Sequence, residues 1–296
     1  MIRTGKDQPR SSFFWAVVGF ALAASGLAFA GGVPLSREVA PPADGKAPHR
    51  ARFVVALDPG HGGSNLGAHG PWSRLYEKDV TLLLAERVRE LVSSKSRPAE
   101  PSPTSPPIVE VVLCRERDVL VPIRARARCA SDAGAQLFVS LHTNAVPAHK
   151  ERGSARGFDV FVLDSDAVAE DAAIAADDVD APVLKAAAAH RTWVVARLSR
   201  EAAAVVRRHL GAALGLAADR GLREGGALLD VLRGTMTPSL LAEVGFLDHP
   251  EEGARLGTAD GREPIARALA DAFQELAAVA QRRASRQAPG ALTVEP

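Results

Sequence analysis

Four residues in this chain have the type and the local setting to build a catalytic metal site with a general base beside it. Two are histidines at the ends of apolar runs: His61 in "FVVALDPGHGG" and His142 in "LFVSLHTNA". The third, Glu77, opens the amphipathic stretch "EKDVTLLLAERV", and the fourth, Glu243, interrupts the apolar run "PSLLAEVGFL". Two imidazoles and a carboxylate suit zinc, and three protein ligands leave a fourth position open for chemistry. Glu243 stands out for a different reason. A carboxylate buried in an apolar strand is costly unless it is paired, metal-bound or catalytic, and next to a metal it is placed to act as a general base. Plainer roles stay open for each. Glu77 could simply complement a helix dipole, His142 could cap a buried strand, and Glu243 could sit in a structural salt bridge. Outside the N-terminal tether, His69, His149, His190, His209 and His249 are the remaining histidines, and none of them closes an apolar run.

Convergence of these four requires strands that deliver their carboxyl ends to one edge, where open α/β sheets gather their ligands. "FVVALDP" reads as a buried strand stopped by Pro59 and Gly60. "YEKDVTLLLAERVRELVSS" places Val80, Leu84, Val88 and Leu91 on one helical face. "IVEVVLC" is a strand, "VPIRARARCASDAG" a helix closed by Gly134, and "AQLFVSL" a strand leading into His142. "GFDVFVL" is a further strand, and "TWVVARLSREAAAVVRRHLGAALG" is a long helix. "ALLDVLRG" and "PSLLAEVGFL" read as strands, and "REPIARALADAFQELAAVAQRRA" closes the domain as a helix. The alternation predicts an α/β fold: a single domain built on a mostly parallel or mixed sheet with helices on both faces. It spans residues 52–284, with a Pro/Ser-rich loop at 95–107, an acidic insertion at 164–191 and a patternless tail at 285–296.

Bulk composition narrows the function. The chain has 296 residues, 47% hydrophobic and 24% charged, with a formal net charge of +1. That supplies a core but not the basic excess of a nucleic-acid binder, so no nucleic-acid partner is expected and the protein is read as a monomer. Residues 1–30 have the anatomy of a secretory signal peptide, a basic head and an apolar run ending in Ala28-Phe29-Ala30. An uncleaved anchor is the alternative. Either reading exports the body of the protein to the periplasm or cell envelope, on a flexible linker at 31–51. Cys114 and Cys129 could pair in an oxidising compartment, but their apolar settings lead us to expect two buried free thiols.

The segments "LDPGHGG", "EKDVTLLLAERV", "VSLHTNA" and "SLLAEVGFLDHPEE" resemble, in order and spacing, the signature segments of the zinc-dependent N-acetylmuramoyl-L-alanine amidases, in particular the cell-separation peptidoglycan amidases. The likeness runs from about Phe53 to about Phe273, and "RGL" at Arg220–Leu222 matches a further family segment. Thr237 and His249 depart from the family pattern. The resemblance implies one Zn2+ held by His61, Glu77 and His142, with Glu243 as the catalytic residue. It also implies peptidoglycan as the partner and hydrolysis of the amide between N-acetylmuramic acid and L-alanine of the stem peptide, in wall remodelling or daughter-cell separation. A zinc carboxypeptidase acting on wall peptides and a non-catalytic wall-binding module are the alternatives. In the cell-separation branch an insertion at 164–191 includes a helix that covers the groove until a protein activator displaces it. Here an acidic helix would place Glu170 in the metal's open position as an autoinhibitory carboxylate, the alternative being a solvated loop.

Overall fold

The structure is a computed structural model that describes residues 51–95, 106–177, 181–226 and 229–287. The expected signal peptide, nearly all of the linker, most of the Pro/Ser-rich loop and the last nine residues of the tail lie outside the described residues. The chain begins with β1 (Arg52–Pro59), a short hairpin of β2 (His69–Gly70) and β3 (Leu75–Tyr76), and helix α1 (Glu77–Lys95). It continues through β4 (Ile108–Leu113), α2 (Ile123–Asp132), β5 (Leu137–Asn144) and β6 (Phe158–Leu163). Helices α3 (Ser165–Asp177) and α4 (Pro182–Leu214), strands β7 (Asp219–Gly225) and β8 (Ser239–Phe246), and helices α5 (Pro250–Leu256) and α6 (Ala259–Gln287) complete it.

Six strands form one mixed sheet in the order β4-β1-β5-β8-β6-β7. β4, β1, β5 and β8 run parallel, whereas β6 lies antiparallel to β8 and parallel to β7. The period of two along each strand sorts the side chains to two faces. Val55, Leu57, Val139, Leu141, Leu240, Ala242 and Val160 pack with α1, α4 and α6, where Leu84, Val88, Val206, Leu210, Leu269 and Phe273 fill the larger core. Ala56, Phe138 and Leu241 turn to the other face, against Ala130 of α2 and the turn residues Leu229, Val231 and Leu232. This second cover is thinner, and polar residues emerge on the same face toward the strands' carboxyl ends.

Three expectations change. "ALLDVLRG" is not a strand: the described part of it, residues 229–234, is mainly turn, and the apolar side chains that suggested a strand cap the sheet from outside. The strand is the polar segment before it, "DRGLREG", because an edge strand with little burial needs no apolar alternation. The closing helix runs to Gln287, three residues into the expected tail. Finally, Cys114 and Cys129 are not free thiols but a disulfide with Cα atoms 5.6 Å apart. Cys114 directly follows β4 and Cys129 lies on α2, so the bond closes the connection between them. Among the described residues no helix is long and apolar enough to cross a membrane.

Closing a loop of this length restricts the unfolded chain by about 3 kcal/mol. Reduction, or the double change Cys114→Ser with Cys129→Ser, should lower the thermal midpoint by roughly 6–12 °C. Melting curves with and without reductant measure it, and an unchanged midpoint would show that the bond adds nothing to stability.

Candidate metal centre

The carboxyl end of β1 turns sharply into the loop that carries His61. The turn is held from below by two buried arginines. Arg126, on α2, donates to Asp58 Oδ1 (2.6 Å) and to the carbonyls of Pro59 (2.8 Å) and His61. Arg115, just after β4, donates to the carbonyls of Pro59 (2.9 Å), Gly60 (2.9 Å) and Lys78 (2.7 Å). Ser140 Oγ completes the Asp58 carboxylate at 3.0 Å. With its carbonyls fixed, His61 holds a left-handed backbone (φ 62°), a conformation uncommon for a residue with a side chain. Such strain concentrates at functional sites.

Glu77, the first residue of α1, is nearly inaccessible to solvent, with its carboxylate between the two imidazoles. Its Oε2 lies 3.0 Å from His61 Nε2, and its Oε1 lies 2.9 Å from His142 Nδ1. Backbone N–H groups of Ala68 (2.9 Å) and Thr143 (3.0 Å) donate to the same two oxygens. Burial pushes the Glu77 carboxyl up, but the hydrogen bonds and charges of His142 and His61 outweigh it and hold it far below the usual carboxylate range. For His142, burial disfavours the charged ring, yet the Glu77 bond and nearby carboxylates raise its pKa above the ordinary value. The two rings meet edge-on with centroids 4.9 Å apart. His61 Nδ1 lies 2.8 Å from Asn65 Oδ1, so a proton held there leaves the Nε2 lone pair facing the cluster.

These three residues form a possible metal site: one donor atom from each lies within 4.8 Å of the others. Two neutral imidazoles and a carboxylate fit zinc, and a cation can take the place of the protons now shared between Glu77 and the rings. Glycines make room for it. A Cβ on Gly60 would lie 2.4 Å from the His142 ring, and one on Gly67 would lie 2.6 Å from Glu77 Oε2.

Glu243 stands beside the cluster, on β8, as the direct strand partner of His142. Its Oε2 is buried without a hydrogen-bond partner among the described residues. Burial, with smaller contributions from Glu77 and Asp159, pushes its pKa up to about 7 against the opposing pull of His142 and His61. An orphaned, basic carboxylate at the mouth of a ligand cluster is the electrostatic setting of a proton acceptor.

The structure thus brings together His61, Glu77, His142 and Glu243. It does not bring Glu170. The insertion is helical, as α3 and the start of α4, but Glu170 points to Arg233 (2.5 Å) while Asp171 bonds Arg233 and the Gly234 amide. Because β6 is antiparallel to β8, its last residues lead to the amino edge of β8, away from the cluster. Sequence reasoning missed Asp58, Arg115, Arg126 and Asp159; an aspartate directly before the Pro-Gly turn and an aspartate inside the apolar run "GFDVFVL" were the available signals.

The family model described as N-acetylmuramoyl-L-alanine amidase matches residues 55–275. The chain is 29% identical over 254 residues to the N-acetylmuramoyl-L-alanine amidase AmiC of Escherichia coli O6:H1, covering 79% of this chain and 56% of that protein. It is likewise 29% identical to the AmiC amidase of Neisseria meningitidis serogroup B, covering 79% and 55% respectively. The chain thus spans little more than half the length of these curated relatives. Among solved structures, the catalytic domain of the amidase CwlV from Bacillus (Paenibacillus) polymyxa matches with a TM-score of 0.55 at 28% identity, over 75% of this chain and 97% of that one.

Two outcomes follow from the geometry. Gly60→Ala should displace the His142 ring and abolish stoichiometric zinc retention in a folded protein; metal analysis showing a full complement would contradict the cradle. The second concerns Glu243, whose folded pKa of about 7 exceeds its ordinary 4.5. In metal-free protein the cost of this carboxyl is absent below pH 4.5, grows as the pH rises toward 7, and is complete above it. Metal-free Glu243→Gln should therefore match the wild type at pH 4 and exceed it by up to ~3 kcal/mol at pH 8, as followed by denaturant unfolding. Equal stability at both pH values would refute the assigned shift.

Proposed function

This chain belongs to the N-acetylmuramoyl-L-alanine amidase family, and from that premise we propose that it hydrolyses the amide between N-acetylmuramic acid and the L-alanine of the stem peptide in peptidoglycan. The observation that carries the reading is the juxtaposition of His61, Glu77 and His142 with the unpartnered carboxylate of Glu243. His61 through Nε2, Glu77, and His142 through Nδ1 would hold one zinc ion. Bound there, zinc supplies Lewis acidity toward the scissile carbonyl and lowers the pKa of water. Glu243 accepts the proton of the attacking water and returns it to the amine nitrogen that leaves as the free N-terminus of L-alanine. Asn65 keeps His61 in the tautomer that presents Nε2, and the backbone amides of Ala68 and Thr143 keep the Glu77 carboxylate oriented. Since the polymer lies outside the cytoplasmic membrane, the reading includes export to the periplasm or cell envelope, for which the apolar run after the basic N-terminus is the supporting feature.

Purified protein incubated with peptidoglycan should release intact stem peptides, and a chelator should stop it. Release of shortened peptides would indicate a peptidase, and zinc retention without any release would indicate a binding module. His61→Ala and His142→Ala should lose both zinc and activity. Glu243→Gln should keep zinc but lose roughly 10²–10⁴-fold in turnover, because the base is gone while the ligands remain. Undiminished turnover in that variant would return Glu243 to a structural role.

A further inference from the structure

Beyond Glu243 the same face of the sheet carries a second buried carboxylate, with a different environment. Asp159 on β6 is the strand partner of Glu243, as Glu243 is of His142, so the three form a row across neighbouring strands. Asp159 is 2% exposed in its side chain and accepts from two guanidiniums, Arg220 Nε at 2.8 Å and Arg223 Nε. Two cations on one anion leave one positive charge unbalanced. Two acids on the same side are engaged elsewhere: Asp219 pairs with Arg207, and Glu224 with Arg200.

Both arginines present their outer ends to solvent, with side chains 34% and 47% exposed. Arg220 lies over the Phe246 ring at 4.9 Å and donates from Nη1 to the Arg156 carbonyl. Arg223 bonds through Nε alone among the described residues, so its two Nη groups remain as a free planar fork. Its backbone pairs with Phe161, which faces the smaller core, so Arg223 projects from the face that carries Glu243. A guanidinium fork held by one edge on a buried aspartate is pre-organised to take a carboxylate on the other. On the opposite flank of the cluster the loop of Gly63 is held by an ion pair that is closed on itself, Lys78 with Asp118, and no guanidinium fork is left over there among the described residues.

We propose that Arg223, supported by Arg220, is a carboxylate-binding subsite for the peptide limb of the substrate, two residues beyond the scissile amide. The proposal rests on the amidase reading for the identity of that limb. Its reach agrees with the spacing. Adjacent strands are ~4.8 Å apart, so the strand of Asp159 lies ~10 Å from that of His142. Two extended residues span ~7 Å, and the side chain that carries the carboxylate on the second adds the remaining few ångströms to the strand of Asp159, over which both guanidiniums fold back from β7.

The test compares two muramoyl-L-alanyl peptides that differ only in the second residue, which ends in a free carboxylate in one and a carboxamide in the other. The wild type should favour the carboxylate in kcat/KM, and Arg223→Ala should reduce that preference about tenfold or more, which is the worth of a charge-assisted hydrogen bond. Arg223→Lys, which keeps the charge without the fork, should retain part of it. Calorimetry of the metal-free protein with the carboxylate peptide should show the same order of affinities. Arg220 still pairs with Asp159 in both variants, and melting curves check that they fold. Hydrolysis by the wild type with no preference, or a preference untouched in Arg223→Ala, overturns the subsite and leaves the amidase reading standing. Arg223-dependent carboxylate binding without release of peptide overturns the amidase reading and leaves the subsite standing.

Discussion

The site depends on one carboxylate, that of Glu77. It is buried at the start of α1, and no apolar packing could compensate for leaving it alone there. Two imidazoles and two backbone amides satisfy it, and those four partners come from the β1 loop, the strand-like turn at Ala68 and the end of β5. A single charged group therefore ties the start of α1 and the loop before it to the end of β5, which is more than sixty residues away in sequence. The same geometry explains how the cluster can hold a cation. With protons between the carboxylate and the rings, the group is a closed ion-pair network; exchange of those protons for a divalent ion keeps the charge compensated and leaves the surroundings in place.

The rigidity of that arrangement comes from beneath it. Arg115 and Arg126 fix the carbonyls of residues 59–61, and the Cys114–Cys129 disulfide joins the two segments that carry them. Cys114 precedes Arg115 directly, and Cys129 lies one helical turn beyond Arg126. The bond therefore restrains not only a loop but the positions from which both guanidiniums reach the His61 turn. A backbone held at positive φ needs such over-determination, because the local chain would otherwise relax to a commoner conformation.

Much of this was legible in the sequence, and the reason is local. His61 and His142 lie at the carboxyl ends of apolar runs, Glu77 opens an amphipathic helix, and Glu243 is the one charge in a buried strand, so each betrays its place by contrast with its neighbours. What failed was non-local. The pairing of Cys114 with Cys129 depends on how α2 returns over β1. The edge strand at Asp219–Gly225 is polar because little of it is buried, whereas the apolar turn after it covers Phe138 and Leu241 from outside the sheet. Pattern alone reads the second as the strand. The misplacement of Glu170 has the same origin, since nothing in "GFDVFVL" states which way that strand runs.

The direction of β6 matters beyond that correction. A strand parallel to β8 would deliver its last residues, and so the acidic insertion, to the edge that carries His61, Glu77 and His142. Reversal sends the insertion to the amino edge, where Arg233 takes up Glu170 and Asp171. It also places the first residues of β6 beside Glu243, and with β7 parallel to β6, Arg220 and Arg223 arrive at the same place. One topological choice thus removes a row of carboxylates from the mouth of the site and supplies guanidiniums in their stead. For a substrate that carries its own carboxylates, that exchange changes the sign of the field it meets on approach.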